Sequence, residues 1–185
     1  LPTFTIIWGR VALAAAVLGL YSAVAIRSAI LRGAPWRALA VMSLLNNVLP
    51  FTLLVFGQRT LTAGTTAILI STTPCLGVLL AHFLTKDEPL TRNKAGGILA
   101  GMAGVAIIMG PSALEGLFDD VLAQAAVLGA GLCYASAAVW GKRFKGDRPE
   151  ATALGQLIVS TVVLFPAMAL WERPWTIPSP PPGAV

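Results

Sequence analysis

The chain has 185 residues, 56% of them hydrophobic and only 11% charged, with a formal net charge of +5. A mean hydropathy of +0.79 excludes an ordinary water-soluble domain. The pI near 9.8 does not argue for nucleic acid as a partner, because the basic residues are spread over short connectors where membrane topology and anionic lipid account for them.

Six apolar stretches are predicted as membrane helices, at 3–26, 38–57, 60–84, 95–110, 121–141 and 151–171. Crossing about 30 Å of hydrocarbon takes roughly 20 helical residues. Five stretches meet that length unaided. The fourth is short, and Arg92 and Lys94 extend it by snorkelling into the headgroups. The connectors alternate in charge. Loops 27–37, 86–94 and 142–150 hold ten of the 13 Lys and Arg residues, whereas Arg59 and Arg173 stand alone in the intervening segments. Lys/Arg excess marks the cytoplasmic side, so these three loops lie inside and the first span runs inward. The expected class is therefore an all-α, polytopic membrane protein with six transmembrane helices, multi-pass in a cell inner (plasma) membrane with the lipid bilayer as its first partner. An N-terminus outside the membrane is simplest if a further helix precedes the first span. The chain is accordingly expected to be an interior piece of a longer protein, with a complete six-span protein as the alternative.

In the first span, Arg10 is the only charged residue at depth. It costs on the order of 2.5–3.5 kcal/mol at a helix centre, so it calls for a partner, a wet cavity or an interface. Contact with an anion or polar solute is one reading, and a structural Arg bonded to carbonyls or reaching headgroups is the other. The second span carries Asn46, Asn47 and Pro50. Proline cannot donate to the carbonyl four residues earlier, so the Asn46 carbonyl is freed beside two amides. Such a polar locus faces protein or a cavity rather than lipid, as a substrate contact or as interhelical hydrogen bonding. In the third span Thr62, Thr66 and Thr73 share a face, and Pro74 frees the Ile70 carbonyl. The hydroxyls line a cavity or bond back to their own helix.

The fourth span holds Gly97, Gly101 and Gly104, a small-residue stripe expected to pack against another helix. The fifth contributes Tyr134 at depth and Trp140 at an interface, and the sixth contributes Gln156 and Pro166. Kinks are expected at Pro50, Pro74 and Pro166. Pro2 and Arg10 echo Pro149 and Gln156 at nearly the same offset on helices of opposite direction, as in an inverted repeat.

Cys75 and Cys133 lie within spans as small packing residues, with no disulfide or metal expected. His82 is lone near the inner end of its span, where an interfacial hydrogen bond is favoured over proton relay. The spans contain no Asp or Glu, so no carboxylate relay resides in them. Zinc-helix, phosphate-loop and nucleophile-elbow motifs are missing, so no enzyme activity, metal or cofactor is expected.

The run from Thr62 through Ser71, Thr72, Thr73 and Pro74, continuing to Lys86, Asp87 and Glu88, then Gly96, Gly97, Gly101 and Gly104, resembles the drug/metabolite transporter superfamily, specifically EamA-type domains. The opening segment from Pro2 to Arg10 looks like the second helix of that domain. The resemblance implies ten helices in two inverted five-helix repeats, cytoplasmic termini, and export or exchange of small metabolites, amino acids among them. It maps Arg10, Pro74 and Glu88 to motif positions, Glu88 as a structural loop residue. On that mapping, residues 1–110 are most of a first repeat lacking its first helix, 111–120 an external loop, and 121–185 the truncated start of a second repeat. The expected function is a secondary transporter (exporter or exchanger) of a small-molecule substrate by alternating access, with Arg10, Asn46, Asn47, Thr66, Thr73, Tyr134 and Gln156 lining the cavity. A non-transport scaffold or a subunit of a membrane complex is the alternative, and a membrane-embedded transferase or hydrolase a third reading.

Overall fold

The computed structural model describes residues 3–26, 31–84, 91–109 and 120–172. Among these residues every regular element is helical. Helix α1 (Thr3–Tyr21) runs on through a π-helical turn at Ser22–Ile26, and α2 (Trp36–Ser43) joins α3 (Leu49–Gly57) through a second π-helical stretch, Leu44–Val48. Helices α4 (Ala63–Ile70) and α5 (Thr73–Leu84) are the halves of one broken span. They are followed by α6 (Arg92–Met109), α7 (Val121–Gly141) and α8 (Pro149–Ala167), the last ending in a π-helical stretch, Met168–Glu172.

Five spans are long and apolar enough to cross a membrane: Phe4–Ala25, Trp36–Gly57, Ala63–Leu84, Val121–Phe144 and Pro149–Leu170. Helix α6 is not among them. Its first turn holds Arg92, Asn93 and Lys94, which leaves a shorter apolar run, as expected for the stretch that needs snorkelling. The expected Glu88 motif position and the loop 111–119 lie outside the described residues, as do Pro2 and most of loop 86–94.

The surface of this bundle is made for lipid. Leu13, Val17, Leu20 and Val24 lie along one face of the first span, each more than 60% exposed, and Phe83, Ile107 and Ile108 reach 79%. An apolar surface of this extent fits hydrocarbon and is unsuited to water. The interior is built from small residues instead. Helix α7 buries Ala123, Ala126, Val127, Ala130, Gly131, Ala135 and Ala137, a seam that lets α3, α4 and α5 close on it. Helix α8 packs on α1 and α2. Short connectors suggest that consecutive spans are neighbours. Here, on the second span, α7 packs mainly on α3 and α8 mainly on α2, their connector turning through a 3-10 turn at Lys142–Phe144 and Gly146 at φ +105°.

Close approaches fall on glycines other than the expected stripe. A Cβ at Gly57 would lie 2.6 Å from Val127 Cγ2 and 3.0 Å from the Ala123 carbonyl oxygen, and one at Gly155 would lie 2.6 Å from Leu39 Cδ1. A Cβ at Gly97, Gly101 or Gly104 would meet nothing within 4 Å, so the packing expected there is not made among the described residues. The reason is positional: among the described residues α6 packs mainly on the broken span, while α7 contacts both the second span and the broken one.

Helix ends are closed by side chains. Thr62 Oγ1 accepts from Thr65 N at 3.1 Å to cap α4. Asp120 caps α7, its Oδ1 accepting from Ala123 N at 2.9 Å and its Oδ2 from Thr60 Oγ1 at 2.7 Å. These bonds, the backbone one foremost, hold the Asp120 carboxyl below its ordinary range. Where α1 begins, Glu172 accepts from Phe4 N at 2.8 Å and, through its other oxygen, from Thr5 N at 2.7 Å and Thr5 Oγ1 at 2.9 Å. This carboxylate sits on the positive end of α1 and ties the beginning of the bundle to the end of α8.

Gly57→Ala is expected to destabilise the protein by about 1–3 kcal/mol, because a backbone carbonyl stands in the way and cannot rotate aside. Gly97→Ala should be neutral or stabilising, since it fills open space in a helix. Unfolding in detergent, compared across the two variants, checks the contrast.

Candidate functional site

Each proline of the spans leaves a carbonyl without its usual donor, and lipid offers no water to replace it. At Pro50 the chain responds by widening. Leu49 N bonds to Leu44 O five residues back, and the π-helical stretch Leu44–Val48 carries Asn46 and Asn47. At Pro74 it responds by breaking. The helix stops at Ile70 and restarts at Thr73, while three hydroxyls turn back on the exposed carbonyls: Ser71 Oγ to Ile68 O at 2.6 Å, Thr72 Oγ1 to Leu69 O at 2.7 Å and Thr73 Oγ1 to Ile70 O at 2.6 Å. The freed Ile70 carbonyl thus has its partner within its own helix. At Pro166 the helix continues and then loosens into the π-helical stretch Met168–Glu172.

The widened stretch aims its amides at α8. Asn47 Nδ2 donates to Ser160 Oγ at 2.8 Å, Ser43 Oγ lies 2.8 Å from the same oxygen, and Ser160 Oγ donates to Gln156 O at 2.7 Å. With Ser43 donating, the Ser160 hydroxyl uses its one hydrogen and both lone pairs. Asn46 Nδ2 donates to Gln156 Oε1 at 3.2 Å. Ser43, Asn47 and Ser160 are buried, whereas Asn46 and Gln156 are partly open. The arrangement is a closed knot, Ser43–Asn47–Ser160, with an amide pair at its edge. These residues fall near the middle of their spans, Trp36–Gly57 and Pro149–Leu170, and so at the membrane midplane.

Arg10 lies about one to two helical turns nearer the end of the bundle at which α1 begins. Its guanidinium carbon is 5.4 Å from the centroid of the Phe51 ring on α3, and Tyr134 on α7 is within its electrostatic reach. Its position follows from how α1 is held. Besides the Glu172 tie, Trp8 Nε1 donates to Thr161 O at 3.1 Å and the Trp8 ring tilts against Phe165, centroids 6.0 Å apart. Ile7, Val11 and Leu164 form the apolar contact between α1 and α8, with Phe51 packed beside it.

The sequence-predicted residues thus divide. Asn46, Asn47 and Gln156 come together, and Arg10 lies against Phe51 within electrostatic reach of Tyr134. Thr66 and Thr73 stand apart on the broken span. Thr66 is 4% exposed and donates to Thr62 O at 2.9 Å, and Thr73, whose hydroxyl faces its own backbone, lies against Gly131. Residues missed in the sequence are Ser43, Ser160 and Glu172. The spacings Ser43 to Asn47 and Gln156 to Ser160 place both pairs on single helical faces, a signal that was present. Trp140, expected at an interface, donates to Ala38 O at 3.1 Å and carries the Arg143 guanidinium 3.6 Å above its ring. Among the described residues no group of three His, Cys, Asp or Glu side chains could hold a metal ion.

Chemically, the midplane layer offers amide donors and acceptors, hydroxyls and one guanidinium. Groups of these kinds are able to hydrogen-bond and orient a polar solute. Ser160→Ala should lower unfolding stability by about 0.6–1.7 kcal/mol, the range for interhelical hydrogen bonds in membranes, because it strips Asn47 and Ser43 of their shared partner. Equilibrium unfolding in mixed micelles measures it.

No curated protein and no solved structure matches the chain. The family model of the EamA-like transporter family matches residues 1–110, more than half its length. This multi-pass, all-helical membrane protein therefore belongs to the EamA-like transporter family.

Proposed function

We propose that this chain lines the midplane binding site of a secondary transporter, which moves small polar or amphipathic metabolites across a bacterial-type plasma membrane by alternating access. Residues 1–110 form most of a first repeat and 121–185 open a second, inverted one, with loops 27–37, 86–94 and 142–150 on the cytoplasmic side. Helices α1 and α8, which bear Arg10 and Gln156 at nearly the same offset in the sequence from Pro2 and Pro149, are the equivalent helices of the two repeats. Their extensive mutual packing and the Trp8–Thr161 bond support this pairing.

The observation that carries the proposal is the polar layer itself. Amides and hydroxyls are concentrated at mid-span on helices that prolines have widened or broken, and the discontinuous span Ala63–Leu84 has its break near its centre. Interrupted helices around a midplane site are the usual construction of secondary transporters. Rocking of one repeat against the other would open the layer alternately to each side, with the proline sites as the points that bend.

The test uses the intact protein in proteoliposomes with a panel of labelled metabolites. Asn46→Leu and Gln156→Leu are expected to reduce protein-dependent flux about tenfold, the loss of one or two hydrogen bonds to solute, while membrane insertion and unfolding stability stay close to those of the parent. Undiminished flux in both variants would contradict the assignment. A parent protein that moves no member of the panel would favour the scaffold reading.

A further inference from the structure

The beginnings of two packed spans enclose a cavity away from the midplane layer. Spans Trp36–Gly57 and Pro149–Leu170 meet through α2 and α8, and residues at and just before both starts line one space of about 130 Å³. Its buried lining is apolar, Leu39 and Phe144. Its charged lining is Arg32 from one connector, with Asp147 and Arg148 from another more than a hundred residues away, and Thr152 adds a hydroxyl-bearing side chain. Tight turns set where these side chains leave the backbone. Ala34 N donates to Leu31 O at 3.1 Å around Gly33, whose φ of +77° suits glycine. Asp147 N donates to Phe144 O at 3.0 Å around Gly146. The Arg148 carbonyl accepts from Ala151 N at 3.0 Å and Thr152 N at 3.2 Å, as the first residue of the α8 ladder.

Membrane orientation depends on how many Lys and Arg residues lie on one side, and not on two of them lining one cavity. Like charges brought together repel, and an anion between them removes that cost. We propose that this cavity binds the phosphodiester head of an anionic phospholipid of the phosphatidylglycerol type, with Arg32 and Arg148 on the phosphate and the acyl chains outside in the bilayer. Four features select this ligand. Depth is the first: the lining residues lie where two spans leave hydrocarbon, beside Trp36, which is 46% exposed at the start of α2, and this is the headgroup layer. Size is the second, since the space of about four waters takes a phosphate with a short polar head. Charge is the third. Asp147 offsets one of the two arginines of the lining, which leaves a match for a single negative charge. Connectors 31–37 and 142–150 carry six basic residues against two acidic, which disfavours the ammonium of a zwitterionic head. The fourth is geometry: a guanidinium fork pairs with phosphate oxygens through two parallel bonds. On the orientation proposed above, the cavity faces the cytoplasmic leaflet, where anionic lipid and basic pockets between helices meet. Bound there, the head ties the start of α2 to the start of α8, whatever solute the protein carries.

Thermal unfolding of the intact protein in neutral detergent, titrated with dioctanoyl phosphatidylglycerol, dioctanoyl phosphatidylcholine or inorganic phosphate, tests this. Phosphatidylglycerol should raise the midpoint saturably, with half-saturation about tenfold below that of phosphatidylcholine, and inorganic phosphate should not reproduce the rise. The double variant Arg32→Gln/Arg148→Gln should need about tenfold more phosphatidylglycerol, for the loss of charge-assisted bonds. Arg37→Gln/Lys145→Gln removes the same charge from the same connectors outside the cavity lining. It should stay within about threefold of the parent, because exposed charges are screened. Equal loss in the two double variants would reduce the effect to general attraction and overturn the site. No saturable rise with phosphatidylglycerol, or an equal one with phosphatidylcholine, would overturn it as well. An equal rise with inorganic phosphate would overturn the lipid as its source. The three titrations of the parent decide the matter even if the Arg32→Gln/Arg148→Gln variant fails to fold.

Discussion

A backbone carbonyl in hydrocarbon has no water to turn to, and that constraint organises this molecule. Three prolines interrupt the hydrogen-bond ladders of three spans, and each interruption is resolved differently. Pro50 is absorbed by a π-helical widening that turns Asn46 and Asn47 toward α8. Pro74 is met by a break whose carbonyls are closed by Ser71, Thr72 and Thr73, and Pro166 by a loosened helix end. The polar groups needed to repair a proline site are also those able to hold a solute. The repair groups and the proposed binding groups therefore occupy the same depth. The difference lies in which groups are used up: the hydroxyls at Pro74 are spent on their own helix, whereas the Asn46–Gln156 pair keeps an unused end on each side chain.

Small residues give this layer its rigidity. The alanine seam of α7 draws α3 and the broken span against it, and Gly57, Gly131 and Gly155 admit contacts that no larger side chain would allow. In lipid such proximity replaces the hydrophobic effect as the source of cohesion, through dispersion and a few interhelical hydrogen bonds. The other half of the bundle is held by polar ties between distant parts of the chain. Glu172 holds the start of α1, Trp8 reaches the Thr161 carbonyl, and Ser160 receives Asn47 and Ser43. Arg10 thereby has a defined place beside Phe51, although it makes no strong bond of its own there.

Much of this was legible in the sequence because the physics was local. Span length, the alternation of Lys and Arg, and the consequence of a proline four residues beyond a carbonyl need no tertiary information. They yielded five self-sufficient spans, one short one, and the repair of the Ile70 carbonyl by a nearby hydroxyl. Tertiary choices were less legible. The glycine stripe at Gly97, Gly101 and Gly104 has the same spacing whether or not a helix covers it, and here the close approaches are made by Gly57, Gly131 and Gly155. Thr66 and Thr73 share a face with the right polarity for a cavity, yet i−3 and i−4 carbonyls compete for their hydroxyls and win. Ser160 was overlooked because a single serine in a Val-rich helix is unremarkable until an Asn is placed opposite it. Glu172 lay just beyond a span, where a carboxylate reads as solvated, and only the fold brings it to the N-terminus of α1.

The account requires that the amide edge of the midplane layer be reached by water and solute while the outer faces of the same helices are bathed in lipid. Single cysteines at positions 46 and 156, with lipid-facing controls at 13 and 170, measure this in the intact protein after Cys75 and Cys133 are replaced by alanine. A small membrane-impermeant thiol reagent should modify Asn46→Cys and Gln156→Cys from at least one side of the membrane, and should leave Leu13→Cys and Leu170→Cys largely unlabelled. Protection of positions 46 and 156 from both sides, in the presence and absence of solute, would contradict it.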